Sequence, residues 1–169
     1  MTILNIVYLP NNILRAVNNP VTEFDDQLQL LIDDMFETMY HAQGVGLAAP
    51  QIGINSKLAV VDVSVEKDQR LVLINPIITE YHGCKEYTEG CLSIPGAHDK
   101  VVRADHVSIR AQDRFGAWFD MAGDCLLGQC LQHEIDHLNG KLFIDLLTPL
   151  KRVQARKRMA KHQRLRKES

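Results

Sequence analysis

One short segment of the chain has the residue types and the spacing of a catalytic metal site. His133-Glu134-Ile135-Asp136-His137 matches the pattern H-E-x-x-H. On a helix, residues four apart lie about 40° apart around the axis, so His133 and His137 can bind one ion. Glu134 is turned about 100° from His133, which suits a base beside a metal-activated water. An amphipathic helix with surface histidines fits the same five residues.

A catalytic site of this type needs a third protein ligand and leaves one position open for water. Cys91 is the candidate, because it stands in the segment Glu89-Gly90-Cys91-Leu92-Ser93 and a thiolate is a strong ligand for a transition metal. Taken alone, Cys91 fits an ordinary thiol equally well. We interpret the other three cysteines as buried or idle thiols; they are Cys84, Cys125 and Cys130.

A third cluster of small residues ends in an amide. It spans residues 44–51 and reads Gly-Val-Gly-Leu-Ala-Ala-Pro-Gln. The cluster follows a predicted helix rather than a strand, which excludes the dinucleotide fingerprint. Small residues let a backbone lie tightly against a ligand, and Gln51 can donate a hydrogen bond to a developing oxyanion. A tight structural connection explains the same composition.

The composition predicts one globular domain around these clusters. The chain has 169 residues, of which 46% are hydrophobic and 24% charged, which excludes disorder, collagen and a disulfide scaffold. No apolar run approaches the roughly 20 residues of a membrane helix, and the N-terminus lacks a signal peptide pattern. We therefore expect a cytoplasmic protein without membrane contact and, in that reducing compartment, without disulfides.

Hydrophobic periodicity predicts the elements that position the clusters. Turn residues in the first twenty positions indicate an irregular arm, and an amphipathic helix follows that begins near Asp25 and ends near Gly44. Runs at 58–63 and 71–74 predict paired strands, and the alternation within 101–111, followed by 117–121, predicts a second antiparallel pair.

A second predicted helix, over 124–138, carries the H-E-x-x-H pattern and stops at Asn139-Gly140. Strands and helices come in separate blocks, without regular alternation. This order predicts an α+β fold, with mostly antiparallel sheets packed around a central metal-binding helix and with a C-terminal helix.

The C-terminal segment differs in charge from the rest of the chain. Residues 1–150 contain 10 Lys and Arg against 20 Asp and Glu, whereas residues 151–169 contain 9 against 1. Thr148-Pro149 predicts the start of a helix there, with proline in its first position. Such a basic segment is typical of a polyanion contact, most often nucleic acid, but a solvated helix has the same composition.

Three segments together resemble the signature motifs of the peptide deformylase family. They are GVGLAAPQ at 44–51, EGCLS at 89–93 and QHEIDHLNG at 132–140. The N-terminal arm from Leu9 to Val21 is similar as well, so the resemblance covers nearly the whole chain. It implies a catalytic domain over residues 1–147, extended by a basic C-terminal helix over residues 148–169.

The resemblance implies a metal-dependent hydrolase that removes the formyl group from the N-terminal formylmethionine of nascent polypeptides and releases formate. Cys91, His133 and His137 would hold Fe²⁺, for which Zn²⁺ or Ni²⁺ are possible substitutes. Glu134 would accept the proton of the attacking water and return it to the departing amine. Gln51 and the backbone N–H of Leu92 would stabilise the oxyanion.

Substrate-binding residues follow from the same resemblance. Gly46 would pair with the backbone of the peptide, and four positions resemble the lining of the methionine pocket: Val45, Tyr87, Leu126 and Gln129. Tyr87 and Gln129 are more polar than the usual aliphatic lining. His98 stands where bacterial relatives often carry an arginine at the mouth of the pocket.

Residues around the ligands also have counterparts in the family. Arg103 and Asp136 resemble a pair that anchors the metal helix, although two separate surface charges explain them equally. Glu89 suits a hydrogen bond to a ligand histidine or to Gln51. The basic tail resembles the helix by which some bacterial deformylases dock near the ribosomal exit tunnel, where it would meet rRNA phosphate.

Two other functions fit parts of the pattern. Another small metallohydrolase, such as a peptidase, would use the same metal site. An RNA-binding or ribosome-binding module with a structural metal would use the basic tail. A structural site normally has four protein ligands, however, and the sequence offers three.

Overall fold

A computed structural model describes all 169 residues of the chain. The helices are α1 (Asp26–His41), α2 (Cys125–Leu138) and α3 (Pro149–Glu168). The strands are β1 (Gly46–Ala48), β2 (Leu58–Val61), β3 (Leu71–His82), β4 (Lys85–Cys91), β5 (Ile94–Arg103), β6 (His106–Gln112) and β7 (Trp118–Asp124). The predicted α+β class with a C-terminal helix is confirmed.

The strands form two antiparallel sheets. A five-stranded sheet has the order β1-β2-β3-β6-β7, and β4 and β5 form a separate hairpin. Both predicted strand pairs are present: β2 pairs with β3, and β6 pairs with β7 through a turn in which the Asp113 carboxylate accepts from the N–H groups of Phe115 and Ala117. The β4–β5 hairpin was not predicted as a unit, because its polar and glycine residues are typical of a loop.

Helices α1 and α2 pack on opposite faces of the five-stranded sheet. Along β2, Leu58 and Val60 pack with α1, whereas Ala59 and Val61 pack with α2, because successive strand residues point to opposite faces. Helix α2 is therefore the central helix, and its apolar side is buried. Its opposite side, which carries the two histidines, faces the β4–β5 hairpin.

Helix α3 packs on the outside of the β4–β5 hairpin. It begins after Thr148, whose hydroxyl accepts a hydrogen bond from the N–H of Lys151, and Pro149 occupies its first position. Ala155 and Met159 are buried against a cluster that includes Val101 of β5. None of the three helices is both long enough and apolar enough to cross a membrane.

Candidate metal centre

Helix α2 brings its two histidines together, one turn apart. The Nε2 atoms of His133 and His137 are 3.1 Å apart, and both rings are largely shielded from solvent. Leu131 and Ile135, on the other side of the helix, are buried against the sheet. The apolar face therefore fixes the rotation of the helix, and this rotation aims the histidines at the hairpin.

Cys91 reaches the histidines from the end of β4. The β4–β5 pairing shifts its register between Gly90 and Cys91, which tightens the turn that follows. This places the Cys91 Sγ 3.3 Å from the Nε2 of His137. The ligand atoms of Cys91, His133 and His137 all lie within 4.8 Å of one another.

The spacing and the chemistry of these three atoms fit a metal ion. In a tetrahedral site with M–N of about 2.05 Å and M–S of about 2.3 Å, two nitrogens are about 3.3 Å apart and nitrogen and sulfur about 3.5 Å apart. The Nδ1 of His133 lies 2.9 Å from the Glu89 carboxylate, which leaves its Nε2 lone pair free for the site. Three such atoms that converge in a shielded space form a group that can hold a metal ion.

A buried ionic network holds His133 in this orientation. The Glu89 carboxylate accepts from the Nε and Nη2 of Arg103, at 2.7 and 2.6 Å, besides its contact with His133. The Nη1 of Arg103 also donates to Asp136, on α2, at 2.9 Å. Gln129 donates to Glu89 at 3.2 Å. Of the two partners considered for Glu89, the structure has the ligand histidine and not Gln51.

Burial and pairing shift the pKa values of this network in opposite directions. Burial alone would raise the pKa of Glu89, but the hydrogen bonds from Arg103 and His133 outweigh it and hold the pKa at about 2. Burial lowers the pKa of His137 well below its ordinary value, and the neighbouring His133 lowers it further. Glu89 is thus an anion at neutral pH, and His137 is neutral, as a metal ligand must be.

Glu134 follows His133 on α2 and lines the same cleft as Cys91. Its side chain is buried, and its Oε2 has no hydrogen-bond partner in the chain. Burial raises its pKa to about 7, against the opposing effect of His133. A carboxyl group that is half ionised near neutral pH can both accept and donate a proton.

Gly46 is required next to Glu134 for steric reasons. A Cβ atom at this position would overlap the Glu134 carboxylate and would lie 2.8 Å from the Cys130 sulfur. The backbone of β1 therefore contacts the carboxylate directly. This close approach explains the glycine at position 46, whereas Ala48 and Ala49 of the same cluster are buried in the hydrophobic core and Gln51 is buried at its end.

Gln51 and Leu92 each offer a hydrogen-bond donor close to Cys91. The Gln51 side-chain oxygen accepts from the N–H of Ala48 at 2.9 Å, which turns its amide nitrogen toward Cys91 and Ser93, at 3.5 and 3.3 Å. The backbone N–H of Leu92 makes no hydrogen bond within the chain. Both groups can donate to an oxygen atom bound near Cys91.

A cleft of about 820 Å³ opens onto the ligands and is large enough for part of a peptide. Gly46, Val45, Leu126 and Gln129, four of the five predicted substrate-binding residues, line it. Val45 and Leu126 are 39% and 47% exposed, so the cleft offers uncovered apolar surface.

Tyr87 differs from the other four predicted pocket residues, and its role in the pocket stays a prediction. It does not line the cleft. Tyr87 lies two residues before Glu89 on β4, and its hydroxyl reaches Asp105 at 3.4 Å.

The structure adds cleft residues that sequence reasoning missed. Tyr8 of the N-terminal arm and His162 and Arg166 of α3 line the same cleft as Cys91. The helical steps that place His162 and Arg166 on the inner side of α3 were visible in the sequence. The apolar residues of that helix were too sparse to indicate which side faces inward.

Comparison with known proteins gives one consistent result. Residues 3–153 match the family model described as polypeptide deformylase. A peptide deformylase of Chromobacterium violaceum is 48% identical over 164 residues, which cover 97% of this chain and 98% of the relative.

Solved structures agree with this match. The crystal structure of a peptide deformylase from Legionella pneumophila is similar with a TM-score of 0.97 and 54% identity, over 99% of both chains. That of a peptide deformylase from Synechococcus elongatus in complex with actinonin is similar with a TM-score of 0.89 and 42% identity, over 93% of this chain and 88% of that one.

Proposed function

The chain belongs to the polypeptide deformylase family, and from that premise we propose that Cys91, His133 and His137 hold its catalytic metal ion. Enzymes of this family are metal-dependent hydrolases that remove the N-formyl group of nascent peptides. The observation that carries the proposal is the convergence of one sulfur and two ring nitrogens within 4.8 Å, beside a buried carboxylate with a free oxygen.

The proposed ion is Fe²⁺, and Zn²⁺ or Ni²⁺ are possible substitutes. One thiolate and two imidazoles suit any of these metals, and three protein ligands leave a position open, as a catalytic site requires. When bound, the ion acts as a Lewis acid that polarises the formyl carbonyl and lowers the pKa of water.

Glu134 is the proposed proton-transfer residue. It accepts a proton from the water that attacks the formyl carbon, and it returns this proton to the amine nitrogen when the C–N bond breaks. Its position against the Gly46 backbone supports this role, because the contact keeps the carboxylate beside the ligands. The products are formate and a peptide with a free N-terminal amine.

Gln51 and Leu92 are the proposed oxyanion donors. The carbonyl oxygen of the formyl group gains negative charge as water attacks. The Gln51 amide is held in place by the N–H of Ala48, so it needs no reorganisation when the charge develops. The Leu92 N–H has no competing acceptor within the chain.

The methionine side chain is proposed to lie on the apolar surface of the cleft. Val45 and Leu126 supply that surface, and Gln129 borders it through its hydrogen bond to Glu89. The Gly46 backbone is proposed to pair with the peptide. In this assignment residues 1–147 form the catalytic domain and residues 148–169 extend it.

A formate assay tests the proposed function. Anaerobically purified protein, analysed for metal, should release one formate per formyl-Met-Ala-Ser peptide cleaved, and a chelator should abolish this release. Glu134→Gln should keep the metal and lose turnover by roughly 10²- to 10⁴-fold.

Two other outcomes separate the alternatives. Cleavage of peptide bonds in unformylated Met-Ala-Ser, without formate release, would identify a peptidase instead. A bound metal with no turnover in either assay would indicate a structural site.

Two further proposals concern where the enzyme acts. Because its substrate is a nascent chain, we propose that it works in the cytoplasm and docks on the ribosome through the outer face of α3. Five exposed basic side chains form this face: Arg156, Lys157, Lys161, Arg164 and Lys167. Replacing all five by Gln should abolish salt-sensitive co-sedimentation with ribosomes and leave the formate assay unchanged. Unchanged co-sedimentation would contradict docking through this face.

A further inference from the structure

The inner side of α3 changes its chemistry along the helix. Ala155, Met159, His162 and Arg166 follow one another in steps of four, three and four residues, so they lie on one side of the helix. Ala155 and Met159 are buried against the β4–β5 hairpin. His162 and Arg166, one and two turns farther on, line the cleft that contains Cys91 and Glu134. The inner side of α3 is thus apolar where it packs on the core and basic where it borders the cleft.

Close contacts fix this part of the helix against the hairpin. A Cβ atom at Gly96 would lie 2.6 Å from the Cβ of His162, so the helix rests directly on the β5 backbone there. One turn earlier on α3, the Nη1 of Arg158 donates to the backbone carbonyl of His98, which lies on the same strand as Gly96, at 3.1 Å. The His98 ring packs over Gly90 and lines the same cleft. His98 and His162 are therefore held against the folded body, and Arg166, an exposed residue one turn farther along α3, completes this rim of the cleft.

The rim has no acidic partner within the chain. Arg166 makes no ion pair, whereas Asp99, the acid of the adjoining strand segment, is already paired with Lys151 at 3.2 Å and lies 3.9 Å from Arg158. Deeper in the cleft, Glu89 is bound by Arg103. A guanidinium that is always charged thus stands over a peptide cleft without a counter-ion.

We propose that Arg166, with His162 and His98 beside it, forms a subsite for a carboxylate on the substrate peptide, downstream of the formylmethionine. This inference rests on the proposed function, which places the formyl group at the metal ligands. From there an extended peptide advances by about 3.3–3.6 Å per residue along the cleft, toward the rim that α3 supplies. Acidic side chains that reach the rim are bound, and basic side chains are disfavoured.

A peptide series with a matched control variant tests the subsite. The peptides are formyl-Met-(Ala)₄-amides in which one alanine is replaced by Asp, Asn or Lys at each position in turn. The measurement is kcat/KM for formate release at low and at high salt. Arg166→Gln removes the proposed contact, and Arg164→Gln removes the same charge from an exposed residue outside the cleft. Arg166→Glu reverses the charge of the subsite.

In the unaltered protein, at least one position should favour Asp over Asn by roughly 1.5- to 5-fold at low salt, the range of an exposed ion pair. The ratio should fall to about 1 in Arg166→Gln, persist in Arg164→Gln, and be replaced by a preference for Lys in Arg166→Glu. High salt should weaken the preference in the unaltered protein, in Arg164→Gln and in Arg166→Glu.

Three results overturn the inference. A ratio of 1 at every position would show that no such subsite exists. Equal loss in Arg164→Gln and Arg166→Gln would show a general basic surface, such as one that binds a polynucleotide, instead of a subsite. The absence of formate release from every peptide would refute the proposed function, and this inference with it.

Discussion

Replacing Arg103 should lower the free energy of unfolding more than replacing an ordinary exposed charged residue would. The substitution Arg103→Met keeps most of the side-chain volume but removes three hydrogen bonds, two to Glu89 and one to Asp136. The Arg103 and Glu89 side chains are each only 4% exposed. Removing Arg103 therefore leaves a buried carboxylate without its guanidinium partner, and breaking a buried ion pair in this way typically costs about 3–5 kcal/mol.

The pKa of Glu89 gives a second measure of the same effect. It falls from 4.5 to about 2 in the folded protein, which corresponds to roughly 3 kcal/mol of stability at neutral pH. Because the folded pKa lies below the unfolded one, this contribution is present above pH 4.5 and is lost as the pH falls toward 2. Arg103→Met should remove that part of the acid dependence.

Chemical denaturation of metal-free protein at pH 7 and at lower pH measures these changes without interference from metal loss. A loss of about 3–5 kcal/mol also predicts a fall in Tm of roughly 6–20 °C. The double variant Glu89→Gln, Arg103→Met should be more stable than Arg103→Met alone, because no buried charge remains unpaired. A loss under about 1 kcal/mol, or strictly additive losses in the double variant, would refute the argument.

Three further predictions concern single side chains. Gly46→Ala should lower kcat/KM at least about 10-fold and stability by about 1–3 kcal/mol, because the added methyl overlaps Glu134 and Cys130; unchanged activity would contradict the contact. Gln51→Leu should lower kcat by roughly 10²- to 10³-fold with metal content unchanged, as measured by formate release and metal analysis; full activity would exclude Gln51 as an oxyanion donor. Burial would raise the pKa of Asp145, but its ion pair with Arg15 at 2.6 Å lowers it. Arg15→Gln should therefore cost a few tenths of a kcal/mol at pH 7, since both groups are about one-third exposed, and nothing once the pH is low enough to protonate Asp145 in the folded state; denaturation at both pH values measures the difference.

Local patterns in the sequence were sufficient to predict the three helices and two of the strand pairs. The apolar steps of α2 and its stop at Asn139-Gly140 gave the helix that carries His133 and His137, and β-branched runs gave two strand pairs. The β4–β5 hairpin was not predicted, because its stability comes from cross-strand pairing and from packing against α3. No short stretch of sequence contains those contacts.

Tyr87 was assigned to the pocket by resemblance alone. Its hydroxyl lies 3.4 Å from Asp105, and Tyr87 is not among the residues that line the cleft, so its role in the pocket stays a prediction. Conversely, His162 and Arg166 had the spacing of one helix face, and nothing local related that face to Cys91, which is about seventy residues away in the chain.

The sequence by itself determined which groups are available for chemistry: a thiol, two imidazoles one helical turn apart, a carboxylate beside them, and glycines where the backbone must come close. These depend on residue type and on spacing within one element, which short-range geometry controls. Only the tertiary structure decided that the sulfur meets the two rings, that Arg103 is buried between Glu89 and Asp136, and that the basic helix borders the cleft. Such distances depend on how the buried faces of separate elements pack together, and each face is chosen by the free energy of the whole core.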